Sequence, residues 1–181
     1  QGYILKEIID KTVFAVSKDE LKPSLTGVLF QISEEGVTAV STDGHRLVKH
    51  VRRDYASEKK LKDIVVPKKF LTYLSSHISK NEISLMFNSS QLTAQVKKDT
   101  ITTRLIDEVF PNYQSVIPTD NKNKLKVDKA DLLGAIRRVS IFSNKSTHQV
   151  ALSLSNNECK LTTEDPEKSS KAQEKLTADY N

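Results

Sequence analysis

The pattern of residues 27–42 returns at residues 149–164, and this constrains the fold more than any other feature of the chain. In the first stretch Val28, Phe30 and Ile32 alternate with Leu29, Gln31 and Ser33; a turn at Ser33-Glu34-Glu35-Gly36 follows, and Val37, Ala39 and Ser41 alternate back. Period-two alternation on both sides of a polar, glycine-containing turn predicts a β-hairpin. In the second stretch Val150, Leu152 and Leu154 take the places of Val28, Phe30 and Ile32, and Cys159 and Leu161 those of Val37 and Ala39. The offset is about 122 residues, a length at which self-similarity means tandem copies of one structural unit.

Each copy is read as beginning with a helix. Leu5, Ile8, Ile9, Val13 and Val16 recur at helical spacing among Lys6, Glu7, Asp10 and Lys11, and the same offset is expected to bring this helix onto one capped by Asp128, with Asp131 in its first turn and Leu132, Leu133, Ile136, Val139 and Ile141 as its stripe. Within the first copy the scheme restarts: Leu47 to Val51 and Ile64-Val65-Val66 read as strands, Pro67 as the first residue of a helix carrying Phe70, Leu71, Leu74 and Ile78, and 83–87, 92–96 and 101–105 as three more strands. The predicted fold is α+β: tandem domains at 1–124 and 125–181, each assembled from helix-plus-antiparallel-sheet halves with the helices on one face. The polar run 118–124 reads as the linker, and 167–174 as a mobile polar loop before a strand at 175–180. The second copy holds only one helix, one hairpin and the start of another strand, and the chain begins at Gln1 rather than Met, so it is expected to be a piece of a longer protein.

Composition removes several classes of function. Five glycines in 181 residues leave neither a phosphate-binding loop nor a dinucleotide fingerprint. One cysteine, Cys159, excludes an internal disulfide and a cysteine-based zinc site. No apolar run approaches the roughly 20 residues of a membrane span, and no signal pattern opens the chain, so the expected location is a reducing, cytoplasmic one. The net charge of +5 admits a nucleic-acid partner but equally a solvated mixed-sign surface.

The densest cluster is Ser41-Thr42-Asp43-Gly44-His45-Arg46-Leu47 between two strands. It admits three readings: a structural turn, a binding surface, or a hydrolase in which Asp43 orients His45 as a base. The run Val109-Phe110-Pro111-Asn112-Tyr113-Gln114-Ser115-Val116-Ile117-Pro118 reads either as a rigid packed connector or as the wall of a peptide groove. The basic residues on or beside helices are explained by solvated faces or by contact with an anionic partner.

Together, Leu25-Thr26-Gly27-Val28-Leu29-Phe30, Ser41 through Leu47, Val65-Val66-Pro67-Lys68-Lys69 and Phe110-Pro111-Asn112-Tyr113 with Val116-Ile117-Pro118 resemble, in order and spacing across the whole chain, the bacterial replicative sliding clamp, the β subunit of DNA polymerase III. The resemblance implies a middle domain and the first half of a C-terminal domain from a head-to-tail ring dimer. It implies no enzymatic activity, no cofactor and no metal. Its partners would be duplex DNA bound without regard to sequence, DNA polymerase III and other polymerases, clamp-loader subunits, and repair proteins; a β-rich peptide-binding adaptor that never encircles DNA is the rival reading. By the same resemblance Lys6, Lys11, Lys22, Lys68, Lys69, Arg137 and Arg138 face DNA. Leu25, Thr42, Gly44, His45, Arg46, Leu47, Pro111 and Val116 belong to a pocket for short motifs of the Gln-Leu-x-Leu-Phe kind, and Ile141 and Phe142 to the subunit interface. Ser115 stands where many relatives carry arginine, and Thr147 where some carry an aromatic.

Overall fold

Helix α1 (Gly2–Thr12) buries Ile4, Ile8 and Ile9 and ends at a fully buried Thr12. The Thr12 hydroxyl donates to the Ile8 carbonyl at 2.7 Å, and the chain tightens into a 3-10 turn at Val13–Ala15. The Thr12 carbonyl, which opens that 3-10 turn, also accepts the Ser41 hydroxyl at 2.6 Å. A strand side chain thus bonds to a buried helix C-terminus. These features come from the computed structural model of the chain, which describes residues 2–78 and 82–181.

The predicted hairpin is present as β1 (Gly27–Ser33) and β2 (Gly36–Thr42), with Phe30 opposite Ala39 and Ile32 opposite Val37. Gly36 makes the turn possible: its φ is +125°, and a Cβ there would lie 2.2 Å from the Arg52 carbonyl oxygen. Strands β3 (Leu47–Arg52) and β4 (Ile64–Pro67) complete an antiparallel sheet of order β3-β2-β1-β4. Helix α2 (Lys68–His77) follows, then β5 (Ile83–Phe87), β6 (Gln91–Val96) and β7 (Asp99–Arg104), ordered β5-β6-β7. Pro67 is not the first helical residue. It closes β4 opposite Gly27 and caps α2 with an extended ψ of 137°, so Lys68 opens the helix. Past β7 the Ile106 amide donates to the Val65 carbonyl at 3.0 Å, tying the two sheets together. Both helices lie on one side of the sheets: Ile4, Ile8, Ile9, Phe70, Leu71 and Leu74 share one core with Val28, Phe30 and Ala39 of the first sheet and Leu92, Ala94 and Val96 of the second. This unit spans Gln1–Val116, and a second spans Ile117–Asn181.

In the second unit, β8 (Leu125–Lys126) leads into α3 (Lys129–Ser140). Asp128 is its N-cap as predicted, its carboxylate accepting from the Ala130 and Asp131 amides at 2.7 and 3.0 Å. Strands β9 (Ala151–Ser155), β10 (Glu158–Asp165) and β11 (Ser170–Thr177) form a sheet of order β11-β10-β9, and β12 (Asp179–Tyr180) pairs with β8. Leu152 opposes Leu161 and Leu154 opposes Cys159, so the hairpin repeats at the expected offset in register as well as in pattern. The helices do not. Ile8 corresponds to Ala135 and Thr12 to Val139, an offset of about 127, because the first copy inserts a 3-10 turn, Pro23–Leu25, between helix and hairpin.

Two further expectations are corrected. Segment 167–174 is not a mobile loop. A one-turn 3-10 segment, Pro166–Lys168, leads directly into β11, which pairs with β10 along its whole length, from Asp165–Ser170 to Glu158–Thr177. It reads as polar because alternate residues face solvent, while Ala172 and Leu176 pack against the core. Asp165, only 2% exposed, holds the turn by accepting from the Glu167 amide and the Asn144 side chain. The second difference is in burial: Phe30 is 7% exposed but its counterpart Leu152 is 45% exposed. Strand β1 lies between β2 and β4, whereas among the described residues β9 pairs with β10 alone.

Candidate functional site

The loop joining β2 to β3 is organised by Asp43. One carboxylate oxygen accepts from the His45 and Arg46 amides, each at 3.0 Å, and the other from the Arg46 Nε at 3.0 Å. The Arg46 amide first, then the His45 amide, hold the Asp43 carboxyl below its usual range. Thr42 donates its hydroxyl to the Arg46 carbonyl and accepts the Gly44 amide, and Gly44 supplies a φ of +91°. Asp43 therefore grips the backbone of His45 rather than orienting its imidazole, and the arrangement that a hydrolase would need does not form. The loop presents Gly44, His45 and Arg46 to solvent, with the Arg46 guanidinium 5.8 Å from the ring of Phe14.

Segment 105–116 lies against the sheet face opposite the helices. Phe110 and Tyr113 are buried there. The Tyr113 hydroxyl donates to Gln31 at 2.7 Å, Gln31 donates to Asp63 at 2.5 Å, and the Lys49 ammonium is 5.8 Å from the Tyr113 ring. The packed-connector reading holds for Phe110 and Tyr113, while Pro111 and Val116 are exposed, Val116 at 67%. Thr42 and Leu47 are directly paired and share the face of Lys49, two residues along β3. The approach of Lys49 to Tyr113 sets the connector beside the β3 face that carries Leu47 and, across the pair, Thr42. Leu25 is buried in the 3-10 turn ahead of β1, where its carbonyl accepts the Ser17 amide. On this same side runs a groove of about 460 Å³, and of the eight pocket residues only Pro111 lines it.

The basic residues divide by their partners. The Lys6 ammonium donates to the Ser75 carbonyl and hydroxyl and lies 3.4 Å from Asp10. Lys11 pairs with Glu7, and Arg138 binds Glu174 through two nitrogens. Among the described residues Lys22, Lys68, Lys69 and Arg137 form no ion pair. Lys68 and Lys69 stand in the first turn of α2, which carries no acidic residue. The helix dipole disfavours cations there, so helix stability does not account for them. Arg137 and Arg138 stand in the last turn of α3, where the dipole favours them. Ile141 and Phe142, just past that helix, are 78% and 44% exposed.

Sequence reasoning missed two features. Arg52 on β3 bridges Glu7 of α1 and Asp54, beside His50, whose Nε2 is buried without a partner; the alternation that puts Arg52 and His50 on the helix side was the available signal. The second is the other side of the groove: the sequence offered 109–118 as a possible groove wall, and the structure sets residues 109–114 against Leu29, Gln31 and residues 62–65, with Asp107 and Glu108 on the rim.

Comparison with known proteins covers both units. Residues 1–112 match the family model of the DNA polymerase III beta subunit central domain, and residues 114–181 that of its C-terminal domain. The beta sliding clamp of Pseudomonas putida is 28% identical over 97% of this chain and 48% of its own length, and that of Staphylococcus aureus is 32% identical over 91% and 44%. The crystal structure of the DNA polymerase III subunit beta from Pseudomonas aeruginosa, 27% identical, matches with a TM-score of 0.91 over 99% of this chain and 50% of that one. The subunit from Borrelia burgdorferi, in complex with a natural product, matches at 0.89 with 26% identity, over 99% and 47%. The chain spans about half the length of the curated relatives it matches. With both of its units matched in order and the α+β clamp fold shared throughout, the chain belongs to the DNA polymerase III beta subunit family.

Proposed function

We propose that this chain is part of a DNA sliding clamp, a non-enzymatic cytoplasmic processivity factor that encircles duplex DNA and tethers polymerases, clamp-loader subunits and repair proteins through short peptide motifs. The observation that carries the reading is the match of both units, in order, to two successive domains of one family.

The first unit supports a division of labour between its faces. On the helix side, Lys68 and Lys69 are cations without internal partners at a helix end that disfavours them, suited to phosphate contacts that carry no sequence information. Lys22 in the first unit and Arg137 on α3 of the second are likewise in no ion pair among the described residues, while Lys6, Lys11 and Arg138 contribute less because carboxylates already hold them. On the opposite side, Leu47, Pro111 and Val116 are apolar groups that receive a Leu-Phe anchor, and Thr42, His45 and Arg46 supply the polar edge; Leu25 supports the floor from beneath. In the assembled protein Ile141 and Phe142 are covered by a second subunit. The test is retention of the full-length protein on nicked circular DNA after loading. A clamp stays on the closed circle and is released when the circle is linearised. Equal retention on both forms refutes encirclement and leaves a peptide-binding adaptor.

A further inference from the structure

The groove beside the candidate pocket has a composition of its own. Its floor is apolar: Leu29, Val65 and Phe110 are buried beneath it and Ile106 is half-buried beside them. Its rim carries three carboxylates, Asp63, Asp107 and Glu108, against a single cation, Lys62. Among the described residues none of the three carboxylates is in an ion pair. A rim of three carboxylates to one lysine is unexpected in a chain of net charge +5, and here it borders about 460 Å³ of space. The floor is also fixed in place, since the Tyr113–Gln31–Asp63 hydrogen bonds join the connector to β1 and to the start of β4. Val109 stands at the rim with 91% of its surface exposed.

We propose that this groove is a second docking site, for an extended segment of a partner protein that carries a large apolar residue flanked by lysine or arginine. The apolar residue occupies the floor over Val65 and Phe110, against Val109. The flanking cations meet Asp63, Asp107 and Glu108, and charge complementarity selects such a segment over the acidic and neutral alternatives. The site is separate from the loop at 42–47, so a partner can engage either surface or both at once.

The test is a backbone NMR titration of the chain with the probe acetyl-Lys-Leu-Lys-Phe-Lys-amide. Two controls replace every lysine by glutamate, or leucine and phenylalanine by serine. The expected result is saturable shifts at residues 62–65 and 105–114 with the first peptide, and binding at least about tenfold weaker with either control. Asp107→Asn/Glu108→Gln should weaken the first peptide by a similar factor while leaving a Gln-Leu-Asp-Leu-Phe peptide unaffected. Equal binding of the lysine–serine peptide means charge attraction alone and overturns the proposal. Shifts confined to residues 42–47, or no saturable shifts, overturn it as well. Failure of Gln-Leu-Asp-Leu-Phe to bind bears on the proposed clamp pocket and not on this groove.

Discussion

Replacing Lys68 and Lys69 by glutamine should strengthen the fold and weaken DNA binding together. Glutamine matches lysine in helix propensity, so the change is chiefly one of charge. Each lysine sits in the first turn of α2 with no acidic neighbour in that turn. Removing a cation from a helix N-terminus stabilises by about 0.3–1 kcal/mol at low ionic strength, so the pair should gain roughly 0.6–2 kcal/mol. For a unit of this size that is a rise in melting temperature of about 2–8 °C. Each phosphate that is no longer neutralised by a lysine reduces the slope of log affinity against log salt by about 0.9, so the double variant should show a slope shallower by about 1.8. Calorimetric melting and fluorescence anisotropy with a short labelled duplex across a salt series measure the two quantities on one sample. Lys6→Gln is the contrast: its ammonium is already held by Asp10 and Ser75, so it should lower stability and barely change the slope. A double variant that melts lower, or keeps the wild-type slope, refutes the assignment of Lys68 and Lys69 as residues retained for binding phosphate.

Ser41→Ala removes the hydroxyl's bond to the buried Thr12 carbonyl and should cost about 0.5–1.5 kcal/mol in urea unfolding. His50 has its pKa lowered, mainly by burial and then by the Lys11 charge. The unfolded chain therefore takes up a proton more readily, so stability is fully present above the ordinary histidine pKa and declines as pH falls below it; His50→Gln should remove that part of the pH dependence in melts across the mildly acidic range. Asp43, with its pKa lowered by the Arg46 and His45 amides, contributes stability that is present above the ordinary carboxylate pKa and lost as pH falls through the lowered value, and Asp43→Asn should flatten that acid limb. Leu47→Ala in the full-length protein should weaken a Gln-Leu-Asp-Leu-Phe peptide by about tenfold in calorimetry with the fold intact; unchanged affinity would remove Leu47 from the pocket.

The strands and helices were legible where a period meets a boundary residue. Phe30 and Ile32 opposite Ala39 and Val37, and Asp128 ahead of α3, follow from alternation and capping alone. Strand β11 was not legible, because one of its faces is solvent and the other carries Ala172 and Leu176 among Ser170 and Glu174. Such a strand is held by its partner's backbone groups, and pairing leaves no mark on a single segment's composition. The shift from an offset of about 122 in the hairpins to about 127 in the helices was hidden for a related reason: connection lengths drift between copies even when registers persist. Of the site, the Thr42–Leu47 loop announces itself through Asp43-Gly44, but which residues stand free of ion pairs depends on neighbours such as Ser75 and Glu174, remote in sequence from Lys6 and Arg138.

That partnering carries the physical content of the helix face. Helix α1 has Lys6, Glu7, Asp10 and Lys11 on its surface, and the two lysines pair with the two acids. Its charges cancel at short range, and beyond about 10 Å they are screened at ordinary salt. Beside it, Lys68 and Lys69 at the start of α2 line one shallow depression with Lys18, and among the described residues none of the three is in an ion pair. Such exposed lysines attract a phosphate backbone weakly and without preference for base sequence. A protein that bound DNA by affinity alone would be poorly served by such a face, since its association constant rises with the number of phosphates it neutralises. A protein held on DNA by topology is well served by it, because weak, uniform attractions let the duplex pass without trapping it at one site.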